Sequence, residues 1–239
     1  MAKDLIVYTD PKSPISEIFR TLRTNIQFSN VKGPMKSLIV TSTTMSEGKS
    51  WTALNLATSF AQTGNKVIMV DADIRRGRLH KVMNMDSPVG LSNYLASKYY
   101  DEKKSVVELE NCVHKTNIEN LLIVPIGTIT ENPAELLLSK KMQDCVKLLA
   151  ASCDTLIIDT PPVGMVTDAL ILARMVDGIL VVAEQNKTTM DALKKTVKDI
   201  RNVGGNILGV VLNKVNISKK KYERSYYYRS STPPPKDMD

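Results

Sequence analysis

Residues 38–50 read LIVTSTTMSEGKS, and this stretch decides the fold. Its apolar start, Leu38-Ile39-Val40, is typical of a buried strand, and the loop that follows ends in Glu47-Gly48-Lys49-Ser50. A helix is predicted from about Lys49 to Gln62. In a strand–loop–helix segment of this kind, backbone N–H groups of the loop and of the helix start surround an anionic phosphate. The stretch therefore predicts a phosphate-binding loop.

The second half of this loop carries the side chains that a nucleotide site needs. Lys49 is expected to reach the β- and γ-phosphates, and the Ser50 hydroxyl is expected to coordinate Mg²⁺. The full pattern G-x-x-x-x-G-K-S/T has a glycine where this chain has Thr43. Because a Gly-Lys-Ser triplet also occurs by chance, the interpretation depends on the strand, the helix and the acidic residues around it.

Three aspartates follow apolar runs that are predicted to be strands. Residues 67–70 lead into Asp71-Ala72-Asp73, where extended alternation puts both carboxylates on one side, and residues 156–158 lead into Asp159. The carboxyl ends of parallel strands form the ligand-binding edge of an open α/β sheet. With Ser50, Asp73 and Asp159 are therefore predicted Mg²⁺ ligands, which leaves Asp71 as a candidate proton acceptor. Any one of these aspartates could instead cap a strand end or form an ion pair.

Strands and helices alternate along the rest of the chain. Further strands are predicted at residues 121–124, 155–158, 178–182 and 207–212. One further helix is predicted to start at Asn132-Pro133, with Glu135 completing a capping box, and another covers residues 188–200 with Met190 facing inward. Near-continuous apolar strands between helices predict an α/β fold with a mostly parallel sheet and helices on both faces.

The composition narrows the function classes. The 239 residues are 43% hydrophobic and 24% charged, as in globular proteins that bury a core. No apolar stretch approaches the roughly 18 residues that span a bilayer. Three cysteines and two histidines without ligand spacing favour reduced thiols in the cytoplasm over a zinc site. The net charge of +7 is partly local to the C-terminus, so we expect acidic partners or an anionic membrane surface, or simple solvation, and no nucleic acid.

The N-terminal segment predicts an amphipathic helix over residues 13–28. Ser13 and Pro14 are typical of a helix start, and an apolar stripe follows at helical spacing, made of Ile15, Ile18, Phe19, Leu22 and Ile26. A charged set lies beside the stripe and is expected to border a self-association contact, or to form ordinary surface ion pairs: Glu17, Arg20 and Arg23.

These residues resemble the bacterial tyrosine kinases that regulate capsular and extracellular polysaccharide synthesis. Lys49-Ser50, Asp71-x-Asp73-x-Arg75 and Asp159 are similar to the Walker A, second Walker A-like and Walker B motifs of that family. Glu17, Arg20 and Arg23 match its E-x-x-R-x-x-R signature. The resemblance covers about residues 13–216 and includes the segments at residues 90–92, 132–137, 159–162 and 209–213.

The resemblance implies a P-loop kinase domain over residues 1–217 that uses ATP and Mg²⁺. The implied catalytic residues are Asp71, Lys49 and Asp73, and the implied nucleotide contacts are Ser46, Glu47, Gly48, Lys49, Ser50, Trp51 and Asn213. Asn213 is similar in placement to a base-contacting asparagine of the family, although it could equally be a turn residue. The implied partners are protein tyrosine substrates, further copies of the chain in a ring, and a membrane activator of the polysaccharide chain-length-determinant class. The activator would recruit this cytoplasmic chain to the inner face of the membrane.

The C-terminal stretch, residues 218–239, is predicted to be a disordered tail, because it lacks periodicity and contains three consecutive prolines. It holds half of the chain's eight tyrosines, which are the predicted autophosphorylation sites: Tyr222, Tyr226, Tyr227 and Tyr228. A mobile tail can bring a tyrosine hydroxyl in line with a γ-phosphate. The alternative is a contact patch without chemistry.

Two alternative functions stay open. Ser46 replaces a glycine that is common in the family, and a positive φ there would cost serine on the order of 1 kcal/mol. A scaffold that only binds nucleotide is therefore one alternative. A partition or septum-positioning ATPase is the other, but those proteins carry a lysine where this chain has Thr44.

Overall fold

The computed structural model describes residues 5–29, 35–86, 88–97 and 107–216. The predicted tail tyrosines and the basic residues around them lie outside these ranges. Among the described residues, no helix combines the length and the apolar character needed to cross a membrane.

A seven-stranded sheet forms the centre of the molecule. Its strands are β1 (Ser37–Ser42), β2 (Val67–Asp71), β3 (His114–Lys115), β4 (Leu121–Val124), β5 (Thr155–Asp159), β6 (Gly178–Glu184) and β7 (Ile207–Asn213). They are ordered β3-β4-β2-β5-β1-β6-β7 across the sheet. Among the strands of the described residues, only the pair of β3 with β4 is antiparallel. The predicted α/β class with a mostly parallel sheet is confirmed.

Helices cover both faces of this sheet, as predicted. They are α1 (Ile6–Thr9), α2 (Pro14–Phe28), α3 (Lys49–Ala61), α4 (Leu79–Val82), α5 (Leu91–Ala96), α6 (Pro133–Leu138), α7 (Lys140–Ala151), α8 (Asp168–Leu172) and α9 (Met190–Asn202). Alternate residues of β1 divide between two apolar cores: Ile39 packs with residues of α5, α7 and α8, whereas Leu38 and Val40 pack with residues of α2 and α3. Because successive side chains of a strand point to opposite faces, β1 contributes to the apolar core on each side of the sheet.

The N-terminal helix forms largely as the sequence indicates. The Ser13 hydroxyl accepts a hydrogen bond from the Ser16 N–H, and Pro14 is the first helical residue. Phe19 and Ile26 are buried, but Ile18 is 53% exposed, so the apolar stripe is only partly covered within one chain.

Two local predictions are wrong, and two short elements were not predicted. The Asn132 side chain makes no capping hydrogen bond, so the predicted capping box with Glu135 does not form at α6. Helix α9 begins at Met190 behind a Thr189 cap, and Met190 is 64% exposed because, with Leu193 and Val197, it lines an open groove. The two-residue strand β3 and the four-residue helix α1 are too short to produce a periodic signal, and neither was predicted.

Candidate nucleotide site

The phosphate loop, residues 43–48, joins β1 to the 13-residue helix α3. Gly48 is the residue before the helix and has a φ of 93°, which favours glycine. A side chain at this position would meet the side-chain amide of Asn213, so this amide would have to move. The first N–H groups of α3 have no helical carbonyl to bond, and they face this loop as donors for an anion.

Ser46 has a φ of 65°, the left-handed conformation for which the sequence raised a cost. A non-glycine residue loses about 1–2 kcal/mol in this region. The loop therefore keeps its shape against local strain, and contacts from elsewhere in the fold must hold it.

Glu47 holds the loop from within. Its buried carboxylate accepts hydrogen bonds from the N–H groups of Thr43 and Thr44 at 2.8 and 2.9 Å. It also accepts from the hydroxyl of Thr44 at 3.0 Å and from the hydroxyl of Thr188, which follows β6. The resemblance implied that Glu47 contacts the nucleotide. Its carboxylate is instead bound inside the protein, so a nucleotide contact would have to use the backbone N–H of Glu47.

Lys49 lies between the carboxylates. Its Nζ atom is 3.3 Å from Asp73 Oδ2, 3.6 Å from Asp159 Oδ1 and 3.2 Å from the Ser50 hydroxyl. Burial by itself lowers the pKa of Lys49, but the charges of Asp159, Asp73 and Asp71 together raise it above its ordinary value. The lysine is therefore a fixed positive charge at the start of α3.

Asp71 and Asp159 are register neighbours on β2 and β5 and are almost completely buried, with 0% and 1% exposure. The Leu79 N–H donates to Asp71 Oδ2 at 3.0 Å. Burial first, and the charge of Asp159 second, raise the pKa of Asp71 well above its ordinary value. Burial likewise raises the pKa of Asp159, against the opposing charge of Lys49.

One oxygen atom of each of these two carboxylates lacks a hydrogen-bond partner. Within the described part of the chain, Oδ1 of Asp71 and Oδ1 of Asp159 are buried and accept none. Asp159 Oδ1 lies 3.6 Å from Lys49 Nζ, beyond hydrogen-bond distance, and a buried carboxylate oxygen of this kind fits a place for a hydrated cation beside Ser50. Among the described residues, no three His, Cys, Asp or Glu side chains group as a complete metal cage. Mg²⁺ commonly binds through one or two carboxylates, water and substrate phosphates.

The loop after β2 is fixed by an ion pair that the sequence did not reveal. Arg75 donates to both oxygens of the fully buried Asp168, the first residue of α8. Arg75 is the last residue of the Asp71-x-Asp73-x-Arg75 motif. Its guanidinium is engaged within the chain, and only the fold could reveal a partner 93 residues away.

The remaining predicted site residues differ in what their side chains contact. The Trp51 side chain packs edge-on against Phe19 at 5.3 Å between ring centroids, so its ring is engaged within the chain. The Asn213 amide donates to the Glu47 carbonyl at 2.9 Å. Arg20 pairs with Glu17 at 2.9 Å.

Comparison with known proteins places this geometry in a family. A family model described as ParA, NUBPL iron-transfer P-loop NTPase, matches residues 34–232. The tyrosine-protein kinase YwqD of Bacillus subtilis (strain 168) is 39% identical, over 95% of this chain and 92% of that protein. The putative tyrosine-protein kinase CapB of Staphylococcus aureus is 37% identical, over 94% of this chain and 93% of that protein.

The chain belongs to the bacterial tyrosine-kinase family. The crystal structure of the chimerical protein CapA2B2 agrees, with a TM-score of 0.81, 35% identity, and coverage of 90% of this chain and 91% of that one. The resemblance drawn from the loop and the aspartates is thereby confirmed.

A more distant likeness shows how far the fold extends beyond bacterial tyrosine kinases. The septum site-determining protein MinD of Pyrococcus horikoshii, solved with Mg-ADP, has a TM-score of 0.60 at 22% identity, over 79% of this chain and 76% of that one. It shows the fold alone. The P-loop NTPase fold implies binding of a nucleotide and Mg²⁺ in general.

Proposed function

We propose that the chain is an ATP-dependent protein-tyrosine kinase. It would phosphorylate tyrosines in its own residues 218–239 and in other proteins, and so regulate capsular or extracellular polysaccharide synthesis. One observation supports this most: a lysine, a serine hydroxyl and carboxylates from two strand ends meet at the start of α3, in a member of the bacterial tyrosine-kinase family.

The nucleotide would bind to the loop between β1 and α3. Its phosphates would accept hydrogen bonds from backbone N–H groups at Ser46, Glu47, Gly48, Lys49, Ser50 and Trp51. Lys49 would hold the β- and γ-phosphates through Nζ, and Ser50, Asp73 and Asp159 would hold Mg²⁺. The metal, when bound, neutralises the charge on the phosphates. Asn213 remains our candidate for the base contact, next to the loop that it already touches.

Asp71 is our candidate for the group that takes the proton of the tyrosine hydroxyl. A carboxyl with a raised pKa suits this role, because it accepts a proton more readily near neutral pH. The Leu79 N–H holds one oxygen, and the other oxygen has no hydrogen-bond partner among the described residues. Because Asp71 is 0% exposed, the hydroxyl would reach it only after residues that cover this carboxyl move.

The tail of residues 218–239 would supply the acceptors. Tyr222, Tyr226, Tyr227 and Tyr228 lie among five basic residues, and each phosphate adds about −1.5 to −2 charge at neutral pH. Full phosphorylation would reverse the sign of the tail. This would switch its contact with other copies in a ring, with a membrane activator of the chain-length-determinant class, or with the anionic inner face of the membrane.

Incubation with γ-labelled ATP and Mg²⁺ tests the proposal. We expect label on protein tyrosine, stimulated by the cytoplasmic tail of the activator, and none in the Lys49→Met variant. Release of free phosphate without protein label would mean a regulatory ATPase instead. Nucleotide binding with neither product would mean a scaffold.

The regulatory ATPase stays the second candidate because the family model and the MinD-like fold are shared with that class. Thr44 argues against it. That class acts across a dimer through a lysine at this position, whereas here the threonine N–H and hydroxyl are both bound to the buried Glu47 carboxylate.

A further inference from the structure

Side chains of other segments donate hydrogen bonds to three consecutive carbonyl groups of the phosphate loop. Lys187 Nζ donates to the Met45 carbonyl at 3.3 Å, and Lys214 Nζ donates to the Ser46 carbonyl at 2.7 Å. The Asn213 amide donates to the Glu47 carbonyl at 2.9 Å. These donors come from the residues that follow β6 and from the end of β7, so two neighbouring strands back the loop.

These three hydrogen bonds fix the direction in which the N–H groups of the loop point. In a planar trans peptide, the carbonyl of one residue and the N–H of the next point in opposite directions. The described chain contains no cis peptide bond. Holding the carbonyls of residues 45–47 outward therefore turns the N–H groups of Ser46, Glu47 and Gly48 inward, toward the side where phosphate would bind.

A single carboxylate holds both lysines in place. Glu184 Oε2, at the end of β6, accepts from Lys214 at 3.0 Å and from Lys187 at 3.1 Å. The hydrogen bond from Lys214 is the main cause that lowers the pKa of Glu184, so the carboxylate stays charged at neutral pH. The Glu184 N–H also donates to the Thr188 hydroxyl at 2.8 Å, and that hydroxyl donates to Glu47 inside the loop.

Lys214 acts at the strained residue of the loop. Ser46 has a φ of 65° and lacks the freedom of glycine, so its peptide groups would relax to other orientations if nothing held them. The bond from Lys214 is the shortest of the three and ends on the Ser46 carbonyl itself.

We propose that Lys214 and Lys187, joined through Glu184, are positioning residues of the phosphate loop, and that Lys214 compensates for serine in place of glycine at position 46. They act on the backbone and need no contact with the nucleotide. The inference rests on the proposed nucleotide binding at this loop. It also predicts that the lysines hold the loop backbone when no nucleotide is bound.

The experiment compares Lys214→Met with a control, Lys195→Met, which removes the same charge from an exposed position on α9. A fluorescent ADP is titrated in the presence of Mg²⁺, and amide hydrogen exchange is followed in the nucleotide-free protein. We expect Lys214→Met to weaken ADP binding about tenfold. The amides of Ser46, Glu47 and Gly48 should exchange faster, with Tm unchanged. Lys195→Met should match the unsubstituted protein in all three measurements.

Rescue separates positioning from a direct ligand role. Adding Ser46→Gly to Lys214→Met should remove the strain and recover most of the ADP affinity, whereas a lost phosphate ligand would not be restored. Unchanged loop exchange in Lys214→Met, or no recovery with Ser46→Gly, would overturn the inference. Failure of the unsubstituted protein to bind Mg·ADP would overturn the proposed function instead, while the exchange measurement would still decide the inference.

Discussion

Arg75 binds Asp168 through two parallel hydrogen bonds, from Nε to Oδ2 at 2.8 Å and from Nη2 to Oδ1 at 3.1 Å. Asp168 is fully buried, while the Arg75 side chain is 36% exposed. The pair ties the loop that carries Asp73 to the start of α8. It thereby fixes one edge of the site from a residue outside it.

Removal of Arg75 should destabilise the fold. Arg75→Ala leaves a buried carboxylate without its partner, and we expect a loss of about 1–3 kcal/mol in the free energy of unfolding. This is less than for a fully enclosed pair, because water reaches the arginine. Urea unfolding of Arg75→Ala and of the unsubstituted protein measures this loss in the free energy of unfolding. The double variant with Asp168→Ala should recover part of the loss, and a double variant that is less stable than both single variants would contradict this account.

Gly48→Ala should abolish nucleotide binding. The new side chain would meet the side-chain amide of Asn213 and sit at a φ of 93°. Gly64→Ala is a matched control, because φ is 84° there and nothing lies within 4 Å of the added carbon. Both variants should lose about 1 kcal/mol of stability from the backbone. Only Gly48→Ala should fail to bind a fluorescent ADP, and equal binding by the two would refute the steric argument.

Asp71→Asn should stabilise the nucleotide-free protein at neutral pH while it removes kinase activity. The folded pKa of Asp71 is raised, so its ionisation opposes folding as pH rises above the unfolded value. An amide of the same shape has no such penalty. We expect a gain of about 1 kcal/mol at pH 7 that disappears below pH ~4, measured by Tm across pH. A Tm at pH 7 equal to or below that of the unsubstituted protein would count against a raised pKa of Asp71.

Replacing Tyr222, Tyr226, Tyr227 and Tyr228 by Phe should remove most of the autophosphorylation signal. The substitution deletes the accepting hydroxyl groups and keeps the rings. Phosphorylation of an added tyrosine peptide should continue, which controls for an inactive enzyme. Full phosphotyrosine label on the variant would reject the tail as the main acceptor.

Arg20→Ala is the cleaner test of self-association through α2. Arg23 also donates to the Ser59 carbonyl on α3, so its removal disturbs the folding of one chain. Arg20 pairs instead with Glu17 and with the Pro11 carbonyl at the surface. We expect a lower mass for Arg20→Ala in light scattering with an unchanged Tm. The same mass as the unsubstituted protein would remove α2 from the contact.

Part of the site could be predicted because its signals are local. The loop before α3 and the aspartates after β2 and β5 are contiguous with the apolar runs that place them, so their position at the sheet edge follows from the sequence. Arg75 and Lys214 could not be assigned in this way, because their partners are distant in the chain, and the same holds for the contact of Glu47 with Thr188.

The sequence by itself determined the alternation of strands and helices, the phosphate loop and the acidic strand ends, since each depends on residues a few positions apart. Only the tertiary structure decided that β5 lies between β1 and β2, which puts Asp159 beside Asp71 and Lys49. Strand order and the charge pairs across it depend on which apolar faces pack together. Many apolar faces are alike, so the local sequence of a strand or helix does not specify which neighbouring element it will pack against.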